Sequence, residues 1–432
     1  MKRILTLWLI GVLLLCGIAG IPEAKADTAV KTTDLSRSEL HEDVTWNLIS
    51  LVEHNAELKT LLEKAILQAK NLNPDPMTNP VSDLDSYYAF IDRCCRAMPW
   101  EILPSENYDS LYERIDQGIG CLYFICDQPL KELEKYDYFH PSLMYHEPFR
   151  SWFIQFVSVT GKFLSTEASW CEDYYRTALT MPDFHLHDGT YESPENWKTF
   201  NDFFARKLSD PAVRPIADPS DDNTVVFPAD SVPQGIWQID ENSRVLAENE
   251  ESQAGLAIKT GTLSNVSVLL GKSRYADAFR GGTLTHTFLD INDYHRYHFP
   301  VGGTVREVLL IPQDDAPGGV ITWDAGQGRY KEYFSETIGW QSIETRGVVI
   351  VEMKDGGYVA IVPVGMCQIS SVNFEDTVVP GAEVRKGDPL GFFLFGGSDI
   401  VMIFSRERSF DMTAEKNVHY GMGEEYGRLG TP

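Results

Sequence analysis

The chain has 432 residues, a formal charge of −26, and 43% apolar and 12% aromatic residues. That apolar content excludes a disordered polymer, and the length exceeds what one core usually fills, so two domains or one large decorated domain are expected. The acidic balance excludes nucleic acid as a natural partner and disfavours adsorption to anionic lipid, because like charges repel over roughly a Debye length. Membrane contact is expected to be peripheral at most.

The N-terminus reads as an export signal: Lys2 and Arg3, an apolar run from Ile4 to Ile21, then Ala24-Lys25-Ala26 before Asp27. The run approaches the length of a bilayer span, but the small-x-small site directly after it favours removal of residues 1–26 and a secreted or periplasmic protein. Cys16 follows Leu15, where a lipoprotein site wants a small residue. Cys94, Cys95, Cys121, Cys126, Cys171 and Cys367 would remain after cleavage. Export permits disulfides among them, and their spacings match no tight zinc pattern.

From Asp34 to about Leu208 the apolar residues recur at helical spacing, as in Val44, Leu48, Leu51, Val52 and again in Leu58, Leu61, Leu62, Ala65, Ile66. Pro74-Asp75-Pro76 and Asn79-Pro80 close the first helical hairpin. After Arg214-Pro215-Ile216 the period changes to short β-branched runs. Residues 348–353 and 358–363, joined by Lys354-Asp355-Gly356-Gly357, predict a hairpin. Residues 283–289, 305–311 and 400–404 predict further strands. The expected class is α+β, with a helical domain over 27–190 and a mostly β catalytic domain over 191–432. Residues 379–391 have the glycine-punctuated short strands of a small barrel-sandwich. Lipoyl and biotinyl carriers modify a hairpin lysine in such a module, but Lys386 lacks their usual methionine neighbour.

Three segments carry residues suited to chemistry. Tyr294-His295-Arg296-Tyr297-His298 sets two histidines three apart before Pro300-Val301-Gly302-Gly303; alone, such a pair suits a solvated face or half a metal site. Pro228-Ala229-Asp230 ends a strand in an acid. Phe395-Gly396-Gly397-Ser398-Asp399 puts a serine after two glycines on a tight turn. A serine hydroxyl needs a base to become a nucleophile, and a histidine oriented by an acid supplies one; Asp230, either histidine and Ser398 have the residue types required. A metal site drawing on His185, His187 and Asp188 with His295 and His298, and a non-catalytic binding protein, are the competing readings.

Taken together and in order, these segments resemble the phosphatidylserine decarboxylase family of pyruvoyl enzymes over roughly residues 195–405. Asn201-Asp202-Phe203-Phe204-Ala205-Arg206-Lys207-Leu208 with Arg214-Pro215-Ile216 opens the pattern. Pro228-Ala229-Asp230, Leu269-Leu270-Gly271, Gly281-Gly282, the His295 and His298 motif, Lys386-Gly387 and Phe395-Gly396-Gly397-Ser398 follow. The helix-first, exported layout and residues 144–179 are closer to the soluble relatives, including fungal L-tryptophan decarboxylases. Ser231 stands where glycine is usual and Asp399 where threonine is usual, and residues 369–372 also depart from the pattern.

The resemblance implies self-cleavage between Gly397 and Ser398, conversion of Ser398 to a pyruvoyl group, and chains that stay associated after the cut. It implies removal of a carboxylate from phosphatidylserine or a soluble, amine-bearing amino acid through a Schiff base. Asp230, His295, His298 and Ser398 would be its catalytic residues. His298 is the expected participant in cleavage and His295 in decarboxylation. No metal and no separate organic cofactor is expected.

Overall fold

A computed structural model describes residues 40–104, 107–136, 138, 140–246, 265–312, 320–332, 345–365, 371–396 and 398–430. The expected export signal, Cys16, Cys367, Gly397 and residues 369–370 lie outside the described residues.

The N-terminal half is built from helices α1 (Asp43–His54), α2 (Ala56–Leu72), α3 (Leu84–Cys94), α4 (Leu111–Cys126), α5 (Phe149–Leu164) and α6 (Glu172–Leu179). The local signals are conventional. Asn55 caps α2 by accepting the Leu58 N–H, and the face Leu58, Leu61, Leu62, Ala65, Ile66, Ala69 is buried. Asp83 and Ser86 form a capping box at the start of α3. The helices enclose an aromatic core of Phe149, Trp152, Phe153 and Phe156 with Tyr123. Trp152 donates its indole N–H to the Val44 carbonyl at 2.8 Å, so its polar edge is satisfied inside. Cys94, Cys95, Cys121 and Cys126 are buried free thiols and Cys171 is an exposed one; burial pushes the first four up, to about 12 for Cys95 and Cys121, which leaves them unreactive.

The C-terminal half contains strands β1 (Thr224–Val226), β2 (Val232–Gln238), β3 (Thr283–Leu289), β4 (Arg296–His298), β5 (Gly303–Ile311), β6 (Ile321–Asp324), β7 (Arg329–Glu332), β8 (Thr345–Glu352), β9 (Tyr358–Gly365), β10 (Asn373–Phe374), β11 (Glu383–Val384), β12 (Pro389–Phe392), β13 (Ser398–Phe404), β14 (Phe410–Met412) and β15 (Glu425–Leu429). Among the described residues the main sheet has the order β11-β5-β8-β9-β13-β3-β2, and every pairing in it is antiparallel. The expected 348–363 hairpin is β8–β9. Strand β13 is central and buried along its whole length. Ile400, Met402 and Phe404 face one core, while Val401 and Ile403 face a second. A strand covered on both faces reads as a continuous apolar run rather than an alternating one, as residues 400–404 do.

The segment expected as a barrel-sandwich divides between sheets: β11 extends the main sheet beside β5, and β12 joins β10 and β4. The described strands close into no barrel. The β6–β7 hairpin packs into the helical half, against α4. Its Tyr330 donates to the Thr78 carbonyl at 2.7 Å, and Gln117 bonds both the Tyr330 N–H and its carbonyl. Helical residues Met98, Trp100, Leu111, Ile115 and Leu164 share one apolar cluster with Phe395, Ile400 and Met402 of the sheet half.

Candidate active site

Ser398 opens β13, opposite Leu289 of β3 and Gly365 of β9. It is fully buried, and its hydroxyl has no hydrogen-bond partner among the described residues. The turn before it is fixed by Phe395, whose N–H donates to the Asn201 side chain at 3.0 Å. The Phe395 ring packs on Phe200 and Phe204 at centroid distances of 5.3 and 5.4 Å. Both rings belong to a short helix, α7 (Phe200–Phe204), capped by Thr199 and Asp202. Gly396 has φ +148°, a conformation that favours glycine.

The histidine motif lies beside this turn. The His295 ring stacks on Phe204 at 3.8 Å, and its carbonyl accepts the Phe393 N–H. The Phe200–Phe204 helix thus touches both Phe395, three residues before Ser398, and His295. His295 Nδ1 donates to the Asp293 carbonyl at 2.9 Å, and His298 Nδ1 donates to the Gly387 carbonyl at 2.9 Å. A carbonyl only accepts, so each neutral ring carries its proton on Nδ1 and presents Nε2 as an acceptor. His298 Nε2 meets the Tyr294 hydroxyl at 3.1 Å. Burial depresses both rings, His295 to about 3, with the Arg206 charge acting in the same direction. On His298 the Gly387 bond and the Asp230 charge work against that depression.

The Asp230 carboxylate is buried and accepts from Arg214 at 3.1 and 2.7 Å and from the Met422 N–H at 2.7 Å. It bonds neither histidine in this structure and acts on His298 through its charge. Arg214 is the residue that composition and spacing did not single out, although it stands in the motif that carried the resemblance. Arg206 is a second. Wholly buried, it stacks its guanidinium over Tyr191 at 4.3 Å and donates to the Asn292 and Asp293 carbonyls at 2.6 and 3.1 Å, holding the loop that leads into His295. Asp293 also pairs with His419 at 2.7 Å.

A cavity of about 530 Å³ lies beside His298, lined by Tyr294, Tyr297, Arg214, Arg296 and Lys207 among others; Ser398, His295 and Asp230 do not line it. Arg296 is held there by Glu375 at 2.8 Å and by the Phe392 ring. On Ser398's other flank, Asp399 is fully buried and hydrogen-bonded to His286 of β3. Burial raises the Asp399 carboxyl above its usual range, and His286 offsets part of that rise.

The other candidates fall elsewhere. His185 pairs with Asp188 on the surface, His187 bonds the Leu179 carbonyl, and among the described residues no three His, Cys, Asp or Glu side chains converge as metal ligands would. Lys386 donates to the carbonyls of Asp218, Asp221 and Thr224 at 2.8, 3.0 and 3.1 Å, so its ammonium ties two loops together.

The family model for phosphatidylserine decarboxylase matches residues 200–428, the stretch that holds Asp230, His295, His298 and Ser398. The chain is 34% identical over 215 residues to phosphatidylserine decarboxylase proenzyme 2 of Oryza sativa subsp. japonica, covering 49% of this chain and 30% of that one. It is 29% identical over 211 residues to the L-tryptophan decarboxylase of Psilocybe cyanescens, covering 47% and 45%. A phosphatidylserine decarboxylase proenzyme of Vibrio campbellii is 24% identical over 288 residues, covering 62% and 92%. The matched segment spans less than half the length of the rice and Psilocybe proteins. On the family match and the order of its motifs, the chain belongs to the phosphatidylserine decarboxylase family.

Proposed function

We propose that the protein is a pyruvoyl-dependent decarboxylase that generates its own cofactor by cleaving between Gly397 and Ser398. The observation that carries this reading is the buried Ser398 hydroxyl, without a partner among the described residues, at the head of a central strand that follows Gly396 at a positive φ. A buried hydroxyl without a partner costs free energy that a merely structural serine would not be expected to incur, and a pyruvoyl group at this position would sit in the same enclosed site.

His298 is the base in this account. Its tautomer makes Nε2 the acceptor, which the Tyr294 hydroxyl occupies in this structure and must yield to Ser398, and Asp230 lends it negative potential. The depressed pKa of His295, about 3, suits it less well to taking a proton at neutral pH. Ser398 Oγ attacks the Gly397 carbonyl as its proton passes to His298, and the amide nitrogen leaves with a proton, giving an ester and an amine. Loss of the Ser398 Cα proton together with the Gly397 carboxylate leaves dehydroalanine. Water then displaces the nitrogen as ammonia, and residue 398 becomes pyruvoyl. That group supplies a ketone for a primary amine and an adjacent amide carbonyl that accepts the electrons left when carbon dioxide departs.

The substrate is an amine-bearing carboxylate, either phosphatidylserine or a free amino acid. The cavity beside His298 supports this class: Lys207 lines it together with Arg214 and Arg296, which are paired to Asp230 and Glu375. His295 serves the decarboxylation step. The products of cleavage stay together because β13 lies between β9 and β3 of the large piece and β15 pairs with its β1. Export from the cytoplasm, with removal of residues 1–26, belongs to the same proposal. Denaturing electrophoresis of the purified protein tests the cut: a piece beginning at residue 398 supports it, and persistent full-length chain refutes it. Carbon dioxide release from phosphatidylserine vesicles and from free aromatic amino acids then assigns the substrate.

A further inference from the structure

Strand β13 carries a second polar element that cleavage chemistry of this kind does not by itself require. Alternation along the strand sends Ser398, Ile400 and Met402 to one face and Asp399, Val401 and Ile403 to the other. On that second face Asp399 stands opposite Val364 of β9 and Phe288 of β3. His286, opposite Val401 and two places along β3 from Phe288, reaches across to the Asp399 carboxyl. Leu284, Val348, Ile350, Ala360, Val362, Val364, Val401 and Ile403 belong to the buried apolar cluster of this sheet face, and Arg346 stands opposite Val364 on it, two strands from Asp399. Both members of the pair are almost wholly enclosed, and the second Asp399 oxygen has no partner among the described residues.

A buried acid–histidine pair in such a wall is a poor way to gain stability. Two apolar side chains of similar volume commonly serve as well or better. Its location supplies another role. Among the described residues the Ser398 side chain makes no hydrogen bond that fixes it, and the backbone before it passes through Gly396 at a positive φ. Once the bond before residue 398 is cut, the end of β13 loses its covalent tether and would fray like any strand end. Asp399 is the next residue, and its bond to His286 is a tie to the neighbouring strand at that end.

We propose that His286 and Asp399 are a positioning pair: they hold residue 398 in register between Leu289 and Gly365 during self-cleavage and keep the new chain end seated afterwards. This inference rests on the self-cleavage reading above. Asp399→Asn keeps the side-chain volume but weakens the tie by exchanging the carboxyl for an amide acceptor, whereas Asp399→Val combined with His286→Leu replaces the tie with apolar volume.

The test uses the full chain. Wild type, Asp399→Asn and the paired apolar variant are purified, checked for folding by circular dichroism, and followed for self-cleavage on denaturing gels. Amide exchange over β13 is read by mass spectrometry on the cut protein. The expected result is a folded paired variant that cleaves at least about tenfold more slowly, the scale on which loss of atomic positioning acts, with faster exchange in the first residues of β13. Asp399→Asn falls between it and wild type. If the paired variant does not fold, Asp399→Asn decides: slowed cleavage supports the pair and a wild-type rate overturns it. A folded paired variant with wild-type cleavage and protection overturns the positioning role and leaves the cleavage reading standing. A wild-type chain that stays uncut overturns both.

Discussion

Replacing Asp230 by asparagine removes one charge and almost no volume, and the structure states what that charge holds. Arg214 donates two bonds to the carboxylate and the Met422 N–H a third, so the acid joins a loop before β1 to the segment between β14 and β15. The acid is buried, while the Arg214 side chain keeps 20% of its exposure towards the cavity. Breaking a fully buried pair costs about 3–5 kcal/mol; the partly solvated arginine brings the expectation for Asp230→Asn to about 2–3 kcal/mol. The same substitution removes the potential that supports His298 as a base, and we expect cleavage about 10–100-fold slower, part of the 10²–10⁴ that a positioned base supplies. Arg214→Met separates the two effects. It also destabilises, but it leaves the Asp230 charge unbalanced beside His298, which raises the His298 pKa instead of lowering it. Urea denaturation of uncut protein reports the first effect and time-resolved gels the second. Equal cleavage rates for wild type and Asp230→Asn would refute the assignment of Asp230 to the base.

Ser398→Ala is expected to fold, remain one chain and release no carbon dioxide, which intact-mass measurement and a radiolabelled substrate check together. The depressed His295 gives stability a defined pH dependence: a histidine whose folded pKa lies below its unfolded value of about 6.5 contributes stability that is complete above that pH and is lost as pH falls towards about 3. Urea midpoints measured from pH 7 to pH 4 should therefore fall, and His295→Phe should flatten part of that slope. Asp290 has the opposite sign. Burial and the neighbouring Asp293 raise it to about 6, so its penalty builds as pH rises from about 4 to 6, and Asp290→Asn should stabilise by about 1 kcal/mol at pH 7, with little effect at pH 4. Lys386→Met strips three carbonyls of their donor and should lower stability by about 2 kcal/mol without changing the size of the fragments.

The helical and sheet halves and the Gly-Gly-Ser motif could be read from the chain because each leaves a local mark. Helical spacing ends near residue 208, β-branched runs follow, and Gly-Gly-Ser interrupts two of them. Partners far apart leave no such mark. His286 and Asp399 are 113 positions apart, and a histidine in an apolar strand has no period that betrays its partner. Arg214 stood in a recognised motif, yet only the fold brings it onto Asp230. Nor did anything in residues 321–332 separate a strand of the sheet from a hairpin that enters the helical core; that depends on Tyr330 finding Asn73, Thr78 and Gln117. Residues 379–391 had the punctuation of a barrel-sandwich, but the same short strands were free to join two different sheets, because two- and four-residue strands carry too few side chains to specify a partner.

The central claim is that Ser398 becomes the cofactor, and intact-mass spectrometry of the purified protein under denaturing conditions addresses it directly. The account predicts two species, one of them a 35-residue fragment running from position 398 to Pro432, blocked to Edman degradation and carrying the mass of a pyruvoyl group in place of serine. A single uncut chain, or a fragment that begins with an unmodified serine, would contradict it.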